Sequence, residues 1–272
     1  MLCTNCQLNT ATRSGEPCDR CVAAGLAAPP PRARATAVPG AASDPAGPVA
    51  GLRSPVGLSY AVVALLGAVI VVDLLSILAS LRMRSLMVDV VSGDPVTEEA
   101  LTGVDSLMRI SGLLYFAVVA ACAVVFVIWF HRVRRNAGIF APDLQRRGPG
   151  WAIGAWFIPI GNLWLPRGVA ADVLAASRQD PYGLGKVKGE TGAVLNVWWT
   201  MWVVSLLFSR VASKAYDRAE EADDLRDALD LLVIDGFLDI AAAVAAILFV
   251  RMLTRMQQLK AAGGSAKRPV LN

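Results

Sequence analysis

Residues 56–81 read VGLSYAVVALLGAVIVVDLLSILASL and contain one charged side chain, Asp73. A helix of about 20 apolar residues crosses the roughly 30 Å hydrocarbon layer of a bilayer, so this stretch is predicted to span a membrane. Three more runs meet the same criterion: residues 110–130, 192–209 and 231–250. A soluble helical bundle would need polar outer faces that these runs lack. The 272-residue chain, 55% hydrophobic with a mean hydropathy of +0.51, is therefore predicted to be an all-α polytopic membrane protein.

The charges between these runs predict their orientation, because cytosolic loops of membrane proteins carry an excess of Lys and Arg. Residues 131–150 hold five arginines against one aspartate, and residues 251–272 hold five basic residues and no acid. Residues 82–109 have three bases against five acids, and residues 210–230 have four against seven. Both basic segments, and with them both chain termini, are expected in the cytosol, and both acidic segments outside.

A further apolar run, residues 151–165, is interrupted by Pro159, Gly161 and Asn162. If it crossed the membrane as a fifth span, the basic C-terminal segment would lie outside, against the charge rule. Four spans, paired as two hairpins, satisfy every charged segment. Residues 151–165 are then predicted to enter and leave from the cytosolic side as a re-entrant or interfacial element, with five spans as the alternative.

Four of the chain's five cysteines form two C-x-x-C pairs near the N-terminus, Cys3 with Cys6 and Cys18 with Cys21. Two such pairs supply the tetrahedral thiolate cage that Zn²⁺ favours. Disulfides would require an oxidising compartment, and no hydrophobic signal segment precedes the first span. Residues 1–22 are predicted to be a structural zinc knuckle, with an iron–sulfur centre or disulfides as alternatives.

Residues 23–55 are rich in Ala, Pro and Gly and lack hydrophobic periodicity, which predicts a disordered linker. This linker would be either the tether of a binding module or a passive spacer. The predicted organisation is completed by a transmembrane helical domain over residues 56–258 and a basic cytosolic tail over residues 259–272. The abundance of alanine and arginine is typical of a GC-rich bacterial genome, so a bacterial plasma membrane is the expected location.

The sequence W-A-I-G-A-W-F-I-P-I-G-N-L-W-L-P occupies residues 151–166. Its W-F-x-P-x-x-N-L-W-x-P core resembles the motif of a bacterial membrane family catalogued as domain of unknown function 4328. The resemblance covers roughly residues 54–256, and it implies a membrane architecture without implying an activity. The motif residues are Trp156, Phe157, Pro159, Asn162, Leu163, Trp164 and Pro166.

Ionisable or amide side chains within apolar spans are costly and are therefore functional candidates. Those identified here are Asp73, Asp235, Asp239, Asn162 and Asn196. They either line a conduction path or proton relay, or tie helices together, with Asp235 pairing with Arg210 or Arg109. The seven tryptophans are expected mainly as interfacial anchors.

Enzymatic motifs are scarce: the chain has one histidine and no G-x-S-x-G, H-E-x-x-H or Walker sequence. The favoured hypothesis is a non-enzymatic membrane adaptor or sensor whose zinc knuckle engages a cytosolic protein. The alternative is a transporter or channel for small solutes or ions. Membrane lipids are expected partners of the basic segments, whereas nucleic-acid binding is disfavoured because topology already explains the basic charge.

Overall fold

The computed structural model describes residue 21 and residues 51–182 and 190–266, and Ala46–Asn272 form one compact unit. All regular structure in the described residues is helical. Short 3₁₀ turns occupy Pro142–Leu144 and Gly161–Leu163. The α-helices of this unit are α1 (Val56–Ser92), α2 (Glu98–Phe140), α3 (Trp151–Gly154), α4 (Leu165–Ser177), α5 (Glu190–Tyr216) and α6 (Ala222–Ala266).

Within the described residues, four helices are long and apolar enough to cross a membrane: α1, α2, α5 and α6. They contain the four apolar runs identified from the sequence, so the expectation of a multi-pass, all-helical membrane protein is confirmed. Residues 151–165 do not form a spanning helix, because they contain only the four-residue helix α3 and a 3₁₀ turn. The bilayer itself needs about 20 residues of continuous helix.

The four long helices pack as two adjoining pairs. Helix α1 lies along α2, and α5 lies along α6, as the hairpin arrangement requires. The two pairs are joined chiefly by the long contact between α1 and α6. Any side chain in this central α1–α6 seam can therefore affect how one hairpin sits against the other.

The predicted outer segments are largely helical, because both hairpins continue beyond their apolar runs. Helix α1 ends at Gly93, whose φ of +80° suits glycine and allows the Asp94 amide to donate to the Asp89 carbonyl at 2.9 Å. The Thr97 side chain caps α2 by accepting from the Ala100 amide.

Outside the apolar runs, the helices still share a core. Met83 and Met87 of α1 are buried against Leu229 of α6. Arg84 donates to Asp230 across the same pair of helices at 2.5 Å. The α1–α6 seam therefore continues beyond the apolar runs, to Met87 of α1.

At the opposite end of the bundle, the residues just before α1 are held against α2. The Arg53 amide donates to Asn136 Oδ1 at 3.1 Å, and Asn136 Nδ2 donates to the Arg53 carbonyl at 2.8 Å. The disorder predicted for residues 23–55 therefore does not include Arg53. The Asn136 side chain bonds both the amide and the carbonyl group of Arg53, which have no helical partners. Helix α6 in turn runs past residue 258 to Ala266, so the segment predicted as a tail begins as helix.

Close approach of the two hairpins depends on Gly236. A Cβ at this position would lie 2.6 Å from Ile77 Cγ1 and 2.9 Å from Ile77 Cδ1, and Ile77 is buried. We expect Gly236→Ala to destabilise the bundle by about 1–3 kcal/mol, because α1 and α6 must separate or Ile77 must leave its rotamer.

The matched control is Gly67→Ala, in the spanning helix α1, where an added Cβ meets nothing within 4 Å. Unfolding of both variants in the same detergent checks the prediction. Equal stability of the two variants would show that the seam tolerates extra volume at Gly236.

Candidate functional site

Three intramembrane carboxyl groups lie together in the α1–α6 seam, and we call them the carboxyl cluster: Asp73, Asp235 and Asp239. Asp235 and Asp239 are four residues apart on α6, which places them on one helix face. Asp73 is on α1, and it is close enough to interact electrostatically with both. Asp73 is 3% exposed and Asp235 9% exposed, whereas Asp239 is partly buried.

Asp239 is bonded by hydroxyl groups from two other helices. Tyr115 of α2 donates its phenol hydroxyl to Asp239 Oδ2 at 2.7 Å. Ser205 of α5 donates its Oγ hydroxyl to Asp239 Oδ1. One carboxylate on α6 therefore joins α2 and α5, and the interaction uses both of its oxygens.

Asp235 has a similar but less complete environment. Its carboxyl group lies close to the hydroxyl group of Ser209 on α5. Pairing with Arg210 or Arg109 was expected, but no ion pair in the described part of the chain joins either arginine to Asp235. Both arginines are exposed. Hydroxyl groups on neighbouring helices, and not arginines, are thus the polar groups that face the aspartates of the carboxyl cluster.

Two oxygens of the cluster have no hydrogen-bond partner: Asp73 Oδ2 and Asp235 Oδ1 are buried and unpaired. A buried polar atom without a partner costs free energy and is rare in native proteins. The carboxyl cluster therefore contains oxygens that form hydrogen bonds between helices and, beside them, oxygens without a hydrogen-bond donor.

The two asparagines of the predicted site lie elsewhere. Asn162 is in the 3₁₀ turn that precedes α4. Asn196 is exposed near the start of α5 and accepts from Arg167 of α4 at 2.5 Å. Nine residues separate Asn196 from Ser205, about 13 Å along the helix axis. The structure therefore brings together the three aspartates, whereas Asn162 lies within the segment that connects α2 to α5 and Asn196 lies beside it.

A second buried polar group lies at the basic end of the bundle, formed by the start of α1 and the ends of α2 and α6. Gln257 of α6 is 2% exposed and donates through Nε2 to the Val133 carbonyl at 2.8 Å and to Ser177 Oγ at 3.1 Å. Asn136 donates to Gln257 Oε1 at 3.0 Å. We call Asn136, Ser177 and Gln257 the amide network, and it joins α2, α4 and α6.

Sequence reasoning did not identify the amide network. Asn136 follows a run of arginines, and Gln257 lies in the basic C-terminal segment, so both resemble ordinary solvent-facing residues in the sequence. Their buried positions result from the packing of α4 against the ends of α2 and α6. Periodicity within one helix could not reveal that contact.

Charged side chains hold α4 in place from both sides. Lys260 of α6 donates to the carbonyls of Ala176 and Arg178 at 2.7 and 2.6 Å, at the end of α4 where carbonyl groups lack helical partners. Arg146 forms an ion pair with Asp172 of α4 at 2.8 Å. The hydrogen bond to Asp172 raises the pKa of Arg146, so this guanidinium stays charged.

The family-like motif of residues 156–166 inserts an aromatic side chain into the bundle. The Trp156 ring lies edge-on to Phe126 of α2 at 5.7 Å and to Trp202 of α5 at 5.6 Å. Trp198 stacks on Phe249 of α6 at 4.3 Å. Trp156 therefore links helices that belong to different hairpins.

This packing corrects the expectation that the tryptophans mainly anchor the protein at the interface. Trp129, Trp198 and Trp199 are buried in the core, while Trp151 and Trp164 are exposed. Aromatic rings pair favourably with one another at centroid distances of about 4.5–7 Å, so most of the indole surface is used in helix packing.

The remaining motif residues shape the turn into α4. Ile160 adopts a φ of +61°, which is strained for a β-branched residue. A Cβ on Gly161 would lie 2.8 Å from Ile158 Cγ2, so only glycine fits there without a shift. The Leu163 carbonyl accepts from Trp199 Nε1 at 2.9 Å, and Pro166 lies in the first turn of α4. Phe157 and Trp164 are left exposed.

The predicted zinc ligands Cys3, Cys6 and Cys18 lie outside the described residues. Cys21 is described, and it is buried. No group of three or more His, Cys, Asp or Glu side chains suited to a metal ion occurs in the described portions of the chain, the carboxyl cluster included. The zinc site therefore stays a prediction from the cysteine spacing.

Comparison with known proteins agrees with the motif. A family model described as Domain of unknown function (DUF4328) matches residues 93–255. This range includes α2, α5, most of α6 and the whole motif segment. No curated protein and no solved structure matches the chain. The family model covers more than half of the sequence, and the chain belongs to this family, which is defined by a domain of unknown function.

Proposed function

We propose that this protein is a non-enzymatic membrane adaptor or sensor, in which the helical bundle anchors and positions a cytosolic N-terminal zinc knuckle. The observation that carries the proposal is that the intramembrane polar groups form hydrogen bonds between helices. Asp239 bonds Tyr115 and Ser205 on two different helices, as a helix-joining residue does. The amide network similarly holds α4 against α2 and α6.

The proposed orientation places both termini in the cytosol of a bacterial cell. The charge asymmetry between the two ends of the bundle supports it. The basic end carries Arg132, Arg134 and Arg135 and, on α6, Arg251 and Arg255. The residues 1–55 that precede α1 would then join the bundle on the same side as α4.

The proposed re-entrant or interfacial element is residues 151–165. Its exposed side chains include Phe157 at 75%, Ile160 at 71% and Trp164 at 56%. Three exposed large apolar side chains on one short segment favour contact of that segment with lipid over contact with water. Trp156, on the same segment, packs into the bundle, so the element would be fixed to the protein on one side and to the membrane on the other.

The adaptor role is tested by capture of cytosolic proteins on the full-length protein in lipid nanodiscs. Zinc-bound thiolates hold such a knuckle folded, so we expect Cys18→Ser to lose a partner that the wild type retains. The control is Cys122→Ser, which removes a cysteine buried in α2 and leaves the two C-x-x-C pairs intact. Identical sets of captured proteins from the wild type and Cys18→Ser would exclude the adaptor role.

Transport of an ion or small solute is the second candidate, and the unpaired oxygens of Asp73 and Asp235 favour it. Such acceptors in a membrane interior are typical of ion or proton sites. Flux in reconstituted vesicles that requires Asp239 would establish transport.

A further inference from the structure

A groove lies between the start of α1 and the end of α6, at the basic end of the bundle, with a volume of about 710 Å³. This volume falls within the range of about 300–1,000 Å³ that is usual for ligand pockets. The α1 side contributes Ser59, Tyr60 and Val63. The α6 side contributes Arg251 and Arg255 beside Met252, Met256 and Leu259.

The two arginines are placed to act on one anionic group. They are four residues apart on α6, so they lie on the same helix face, and both line the groove. Both are exposed, and none of the ion pairs in the described part of the chain includes either of them. No acidic residue lines the groove. The site therefore carries two positive charges without an internal counter-charge.

The chemistry of the groove changes along its length. Arg251, Arg255, Gln258 and Leu259 lie beyond the apolar run of α6, whereas Tyr60 and Val63 lie one to two turns inside the apolar run of α1. A ligand that fits has an anionic head at the membrane surface and an apolar chain directed into the bilayer. Guanidinium groups bind phosphate oxygens through charge-assisted hydrogen bonds.

We infer that this groove binds an anionic glycerophospholipid, with its phosphate at Arg251 and Arg255 and an acyl chain along Tyr60 and Val63. The inference concerns the membrane unit itself and does not depend on the zinc knuckle or on a cytosolic partner. A bound lipid would bridge α1 and α6, the two helices that join the hairpins. The stability of the bundle would then depend on the lipid composition of the membrane.

Native mass spectrometry of the full-length protein in a neutral detergent tests this assignment, with phosphatidylglycerol and phosphatidylcholine of identical acyl chains added in steps. We expect tighter binding of phosphatidylglycerol to the wild type. The double variant R251Q/R255Q should weaken that binding about 30-fold, because each basic residue near an anionic lipid surface contributes roughly a fivefold change in affinity.

Two further variants separate the groove from general charge. K267Q/R268Q removes the same number of charges from the residues after Ala266 and should leave phosphatidylglycerol binding unchanged. Val63→Trp fills the groove without changing the charge and should weaken binding. Unfolding temperatures in lipid-free detergent show whether each variant is folded.

Three results would overturn the assignment. Equal losses from the two double variants would mean that net charge alone attracts the lipid. Equal binding of the two phospholipids would show that the arginines do not select a headgroup. Displacement of phosphatidylglycerol by equimolar glycerol phosphate would show a phosphate site without a lipid-chain component.

Discussion

Cysteines introduced at Asp94 and Glu221 should react fully with a membrane-impermeant thiol reagent added outside the cell, and cysteines at Asp143 and Tyr182 should not. All four positions are exposed, so differences in labelling will report the side of the membrane. Asp94 and Glu221 lie in the acidic connections of the two hairpins, which the charge rule places outside. Asp94 is a better position for the introduced cysteine than its neighbour Gly93, because the positive φ of Gly93 disfavours any other residue.

The experiment requires a background in which the five native cysteines are replaced by serine. Permeabilised cells are the control, because all four positions should then react. A fifth span through residues 151–165 would produce a different pattern: Tyr182 would label from outside and Glu221 would be protected. That outcome would remove the two-hairpin topology and the cytosolic position of the C-terminus together.

Gln257→Leu is expected to destabilise the protein by roughly 3–5 kcal/mol, because it leaves several buried polar partners unsatisfied at a cost of about 1–3 kcal/mol each. Leucine fills a similar volume, so the change removes hydrogen bonds without opening a large cavity. The lost contacts are those to the Val133 carbonyl, Ser177 and Asn136. Helix α4 should become more accessible to protease as the amide network fails.

The neighbouring residue provides a matched control. Gln258 is exposed, and Gln258→Leu should change stability by less than about 0.5 kcal/mol. Unfolding midpoints of both variants in one detergent, with limited proteolysis of the folded samples, give the comparison. If Gln257→Leu is as stable as Gln258→Leu, the network contributes nothing to the placement of α4.

The membrane architecture could be predicted from the sequence because the bilayer sets a simple requirement of length and polarity. The apolar runs identified the four spanning helices, and the motif of residues 156–166 identified the family. The full helices extend well beyond the runs, to Ser92, Phe140 and Ala266. At the basic end of the bundle these extensions were not evident, because charged and amide side chains there interrupt the apolar pattern.

The carboxyl cluster was predictable only in part. The spacing of Asp235 and Asp239 put them on one face of one helix, but the position of Asp73 depends on how α1 crosses α6. The bonding partners Tyr115 and Ser205 are neutral residues within apolar runs, where nothing in the sequence separates them from ordinary packing residues. Asn162 and Asn196 were grouped with the aspartates by polarity, and the structure separates them by depth along the bundle.

Proton flux into vesicles that contain the purified full-length protein is the measurement that tests the central claim most directly. If Asp239 joins helices and does not line a path, wild-type vesicles should dissipate an imposed pH gradient no faster than vesicles with Asp239→Asn. The same substitution should lower the unfolding temperature, because Tyr115 and Ser205 lose their carboxylate acceptor. Rapid dissipation by the wild type that Asp239→Asn abolishes would contradict the adaptor account and establish a transport path through the carboxyl cluster.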